Sequence, residues 1–95
     1  MTTDVNLSQR FSRSPDVLSQ AVGDEAVLLD LASEQYFGLN PVGRRIWDLL
    51  GEYALLEDVH HQLCAEFDAP PEQIRTDLLA LARTLADAGL LVEQH

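Results

Sequence analysis

The chain has 95 residues, 46% of them hydrophobic, which suits one small globular domain and excludes wholesale disorder. Six arginines and no lysine stand against 16 acidic residues, a formal net charge of −10. Such a chain repels phosphate backbones and anionic membrane surfaces, which argues against nucleic acid or membrane as a main partner. Cys64 is the one cysteine, so no internal disulfide forms, as suits a reducing, cytoplasmic setting. No apolar run is long enough for a signal peptide or a membrane span.

Residues 1–16 are polar apart from Val5, Leu7 and Phe11, and read as a flexible N-terminal arm, either a plain tail or one that docks on the body by Phe11. Val17 to Val22 is the first predicted strand. Gly23-Asp24 suits a tight hairpin, because glycine accepts positive φ. Glu25 to Leu31 is the second strand, with Val27, Leu29 and Leu31 expected on the core face and Ala26, Leu28 and Asp30 on the other. After a turn at Ala32-Ser33-Glu34, Gln35 to Leu39 forms the third. Phe37 and Leu39 share one face of it, Tyr36 and Gly38 the other. An antiparallel meander is the simplest arrangement of the three.

Asn40-Pro41 marks a helix start, since asparagine caps and proline at the first position loses no needed hydrogen bond. Val42, Ile46, Leu49 and Leu50 are the expected buried stripe, with Trp47 at its margin. Gly43 in the first turn suggests a close approach of another backbone, and Gly51 is a stop signal. A second helix runs from about Leu56 to Glu66, with Leu56, Val59, Leu63 and Phe67 at helical spacing. Its start is poorly marked. The third runs from about Pro71 to Ala88. It carries two apolar rows, one through Ile74, Leu78, Leu81, Leu85 and Ala88 and one through Leu79, Ala82 and Ala86. Gly89 ends it, Leu90-Leu91-Val92 packs back as a tail or short strand, and 93–95 is a frayed C-terminus.

No catalytic constellation stands out. His60, His61 and Cys64 fall near one another on a helix, but zinc takes four ligands, or three and water, and only His95 is left to add. The carboxylates are scattered, and no phosphate-binding loop or nucleophile with an activating base is present. The expectation is a non-enzymatic chain with no metal and no cofactor. Strands followed by three helices also describe winged-helix DNA binders. The third helix, however, sets only Arg75 and Arg83 against Glu72, Asp77 and Asp87, the wrong balance for phosphate.

The third strand offers a surface instead. Sheet edges are usually guarded by lysine, proline or a bulge, and Gln35 to Leu39 has none of these. An open edge there is a template for an extended peptide. Two readings of its side chains stand: Tyr36 and Phe37 shape a groove floor, or they are ordinary core. The third helix likewise offers a groove wall at Leu78, Leu79 and Ala82, or two rows of plain core. Arg75 and Asp77, early in that helix, are candidate polar contacts. An open edge also permits a weak or strand-swapped dimer in place of a monomer.

The residues Leu28-Leu29-Asp30-Leu31, Tyr36-Phe37-Gly38-Leu39-Asn40, Gly43, Ile46-Trp47, Leu49-Leu50, Asp77-Leu78 and Ala88-Gly89-Leu90-Leu91 together resemble the PqqD-like family. Its members are small recognition elements for precursor peptides in ribosomal peptide biosynthesis. The resemblance covers about Val17 to Val92, so 17–92 is the expected domain. It implies an α+β, winged-helix-like fold, with an N-terminal three-stranded antiparallel sheet followed by three α-helices. It implies that a leader peptide adds as a fourth strand at Gln35, Tyr36, Phe37, Gly38 and Leu39, against the third helix. The YFGLN-and-Trp pattern is most similar to stand-alone members of lasso-peptide clusters, which pass the precursor to a leader peptidase. Other members present a precursor to a radical-SAM enzyme for a quinone cofactor. Two positions depart from the family pattern: Glu34 stands where glycine is common in the turn, and Leu55 where a capping threonine is common.

Overall fold

The computed structural model describes residues 5–94. The first four residues of the expected arm, and His95, lie outside the described residues. Eight elements follow in order: β1 (Arg10–Arg13), β2 (Val17–Val22), β3 (Glu25–Asp30), β4 (Gln35–Leu39), α1 (Pro41–Leu50), α2 (Leu56–Glu66), α3 (Pro71–Asp87) and β5 (Leu91–Gln94). The strands β2-β3-β4 form the expected antiparallel meander, and the three helices follow it. The Gly23-Asp24 loop joins Val22 to its partner Glu25, with Gly23 at φ +62°. The turn after β3 is held by Asp30. Its carboxylate accepts from the Ala32 amide at 3.2 Å and the Ser33 hydroxyl at 2.8 Å, and its carbonyl accepts from the Glu34 amide at 2.7 Å.

The core face of β3 is the reverse of the expectation. Ala26, Leu28 and Asp30 are buried, while Val27 and Leu29 are half-buried and Leu31 is 51% exposed. The register puts Leu28 beside Phe37 and Ala26 beside Leu39, on the face that meets the helices. Leu29 lies beside Tyr36 on the outer face. The physical reason is Asp30. Its carboxylate is consumed by the turn, so it tolerates the inner face, and alternation read from hydropathy alone picks the wrong side.

The N-terminal segment is not a loose arm. β1, which was not expected, pairs with β5 in a second, two-stranded sheet; β5 takes up the short strand expected at Leu90-Leu91-Val92, and Phe11 docks on the body as one of the most buried side chains. The C-terminal residues 93 and 94 are likewise strand, not frayed ends. The Leu56 amide donates to the Gln9 carbonyl at 3.1 Å, and the Glu57 amide to that of Leu7 at 3.0 Å. Those are amides of the first turn of α2, which a helix leaves without internal partners. This explains how α2 starts at Leu56 with Leu55 as its cap and no side-chain capping bond. Glu57 and Asp58 add favourable charge to the same turn.

The helices pack by the stripes Ile46, Trp47, Leu49 and Leu50 of α1; Leu56, Val59 and Leu63 of α2; and Ile74, Leu78, Ala82 and Leu85 of α3. Trp47 is 3% exposed and belongs to the core, whereas Val42, expected in the stripe, is 39% exposed. Arg45 crosses from α1 to Glu66 of α2 as a two-pronged ion pair, with N–O distances of 2.6 and 2.7 Å. No helix is long and apolar enough to cross a membrane among the described residues.

Candidate peptide-binding groove

β4 is an edge strand: β3 pairs with one side of it, and no described strand pairs with the other. A row of main-chain donors and acceptors is therefore open to an added strand. A groove of about 460 Å³ opens at the C-terminal end of this edge. Gly38, Leu39 and Asn40 form one side, Val42, Gly43 and Ile46 of α1 the floor, and Asp77, Ala80, Leu81 and Thr84 of α3 the far wall.

Each part of the groove has a local cause. Asn40 caps α1, its Oδ1 accepting from the Gly43 amide at 2.8 Å, and this starts the helix directly at the end of β4. Gly43 is buried in the floor; a Cβ there would lie 3.2 Å from the cap oxygen and 3.5 Å from Leu39. On α3, Ala80 and Thr84 are small and one turn apart, which leaves width for a backbone to lie between helix and strand. The Thr84 hydroxyl donates to the Ala80 carbonyl at 3.0 Å, so it is satisfied within its own helix. Asp77 is the one charged residue of the lining, and its carboxylate accepts from Gln73 Nε2 at 3.1 Å. A smaller apolar cavity of about 80 Å³ continues from the groove, sharing Val42, Ile46 and Asp77 and reaching Leu63, Phe67 and Ile74. The arrangement suits an extended main chain with an apolar side chain anchored in the smaller cavity.

Of the residues singled out by sequence, Gly38, Leu39 and Asp77 line this groove. Gln35, Tyr36 and Phe37 lie earlier on β4. Tyr36 is 71% exposed on the outer face, and Phe37 packs half-buried against the core. The expected helical wall is displaced. Leu78 and Ala82 are fully buried and Leu79 packs against the core, because the rotation of α3 is set by Ile74, Leu78, Ala82 and Leu85. Arg75 is exposed and outside the groove lining. The wall residues missed by sequence, Ala80, Leu81 and Thr84, share helical spacing with Asp77; the small residues at Ala80 and Thr84 are the signal that marks them.

The histidines do not converge. His60 Nε2 lies 2.9 Å from the Pro71 carbonyl and 3.5 Å from Cys64 Sγ, while His61 is exposed beside Glu57. Among the described residues no group of three or more His, Cys, Asp or Glu could hold a metal ion.

The chain was compared with known proteins. It is similar to the PqqA binding protein of Bradyrhizobium diazoefficiens, with 35% identity over 63 residues, 66% of this chain. The match spans 61% of that relative's length. Among solved structures it is similar to TbiB1 in complex with the TbiA(beta) leader peptide, with a TM-score of 0.78 and 40% identity, covering 84% of this chain and 93% of that one. It is also similar to a lasso peptide synthetase B1 complexed with the leader peptide, at TM-score 0.76 and 25% identity, covering 87% of this chain and 98% of that one. Residues 25–91 match the profile of the family described as Coenzyme PQQ synthesis protein D (PqqD), and the chain belongs to that family.

Proposed function

We propose that the chain captures the leader region of a ribosomally made precursor peptide as an added strand on β4 and presents it to a maturation enzyme. The observation that carries this is the open β4 edge leading into a groove walled by α3. Family membership, and the leader complexes of two similar proteins, support it. Main-chain bonds along Gln35 to Leu39 supply affinity, and the groove beside Asp77, Ala80 and Leu81 supplies selection. The role is binding without catalysis. Its setting is cytoplasmic, as one unpaired cysteine suits. A segment of this length binds in the range of roughly micromolar to nanomolar. Holding it near an enzyme raises its effective concentration there.

The partner enzyme is a leader peptidase of lasso-peptide biosynthesis, a reading favoured by the likeness to a lasso peptide synthetase B1 bound to its leader peptide. The likeness to a PqqA binding protein favours a second reading, delivery of a precursor to a radical-SAM enzyme of quinone cofactor biosynthesis. The test is titration of a fluorescent leader peptide from the neighbouring precursor gene. Ala80→Asp places a charge in the groove at an exposed position and lowers affinity at least tenfold, roughly the 1.4 kcal/mol of one misplaced contact. Unchanged affinity in that variant places the leader elsewhere. A precursor of the quinone type binding in preference to a lasso leader selects the second reading.

A further inference from the structure

The sheet has a second open edge. β2 pairs only with β3 among the described strands, and five of its six residues are exposed. Beneath this edge lies a depression of about 260 Å³, lined by Arg13, Ser14, Pro15, Val17, Ser19 and Trp47. Arg13 and two serines are in its lining and no acidic residue is, in a chain with 16 acidic residues.

Arg13 is placed with care. Its Cζ lies 5.3 Å from the centre of the Trp47 ring. Its guanidinium also lies against Gly51, where any Cβ would collide with it. Gly51 has φ −80°, a conformation open to every residue, and a Cβ there would push the flexible end of the Arg13 side chain aside. Among the described residues Arg13 makes no ion pair and no side-chain hydrogen bond. By contrast Arg44 bonds the Gly23 carbonyl and Arg45 pairs with Glu66. Arg13 also lines an adjoining depression with Gly51 and Glu52, and among the described residues it forms no ion pair with Glu52. The Trp47 Nε1–H at the base is buried without an acceptor.

The register supplies the link between edge and depression. Val17 and Ser19 both line it, and alternate residues of a strand share one face. A strand added to β2 therefore directs every second side chain onto the face of Val17 and Ser19, toward Arg13.

We infer that β2 is a second docking edge, which takes an extended acidic segment of a partner protein and seats one of its carboxylates on Arg13. The two edges of the sheet then select opposite charge: Asp77 stands in the β4 groove and Arg13 below β2.

The test uses the full chain and blocked five-residue peptides of alternating threonine and valine, with a central aspartate or a central asparagine. Trp47, the one tryptophan, reports binding by its emission, and backbone amide NMR shifts locate it. The aspartate peptide shifts the Ser19 and Gln20 amides and binds about tenfold better than the asparagine peptide, the scale of one charge-assisted bond. Arg13→Gln removes that preference. Equal binding of the two peptides, a preference that survives Arg13→Gln, or shifts confined to β4 overturns the proposal. So does sodium acetate reproducing the emission change with no movement of β2 amides, since the site would then hold a free anion and no strand. A dimer that masks β2 and persists in Arg13→Gln overturns it as well, by making a second copy the occupant.

Discussion

Asn40 Oδ1 and the Gly43 amide, 2.8 Å apart, join the end of β4 to the start of α1 without an intervening loop. That bond sets the angle between the open edge and the groove floor. Asn40→Ala removes the cap and lowers stability by about 1 kcal/mol in urea unfolding. Asn40→Asp restores most of it, since a carboxylate also accepts from the first-turn amides.

Glu34 sits at φ +59°, in the left-handed region, where side chains other than glycine are strained. Glu34→Gly is expected to raise stability by about 1 kcal/mol, because glycine takes this conformation without a Cβ clash. Glu34→Ala gains nothing comparable. A denaturation midpoint that falls in the glycine variant would show that the glutamate side chain stabilises the turn.

The Arg45–Glu66 pair predicts an acid dependence. The Arg45 guanidinium, with help from Gln62, holds the Glu66 carboxyl down to about 2 from its ordinary 4.5. A carboxyl depressed in the folded state contributes stability that is complete above pH 4.5 and is lost as pH falls through 2. The pair is partly exposed, so solvent screening limits its worth to about 0.5–1 kcal/mol. Glu66→Gln loses that amount at pH 7, and its stability is flatter than that of the parent between those pH values.

The two faces of β3 give a direct comparison. Leu28→Ala opens a cavity opposite Phe37 and costs about 2–5 kcal/mol. Leu29→Ala, on the outer face beside Tyr36, costs less than about 1 kcal/mol. Thermal unfolding of both variants separates the observed register from its one-residue slip.

Most of the fold is legible where signals are local. Asn40-Pro41, Gly23-Asp24, and the apolar rows of α2 and α3 each act within one turn of their own chain. The faces of β3 are not legible, because an apolar run with a buried aspartate looks the same from both sides. β1 escapes notice for another reason: four residues with one phenylalanine carry no period, and their partner lies at the other end of the chain. For the site, the strand edge is readable from the missing gatekeepers. The groove wall depends on how α3 is turned about its axis, and Leu78 and Leu85, which draw the eye, are taken by the core. Alanine and threonine, which leave space, are quieter in hydropathy and closer to the groove.

Phe11 and Glu93 face each other across β1 and β5, with Arg10 opposite Gln94. Bringing those two strands together closes a loop that spans nearly the whole chain, the least favourable closure in the molecule. The meander and α1 need only neighbours in sequence, so they form early in folding, and the terminal sheet forms last. In the native state the expected order is the reverse: opening begins at β1 and β5 and frees the carbonyls of Leu7 and Gln9 from the start of α2. Hydrogen exchange should then be faster at the paired β1 and β5 amides and at Leu56 and Glu57 than at the β3 amides and those β4 amides that bond to β3. The strand that offers its edge to a peptide is thus tied, through β3, to the part of the molecule expected to open last.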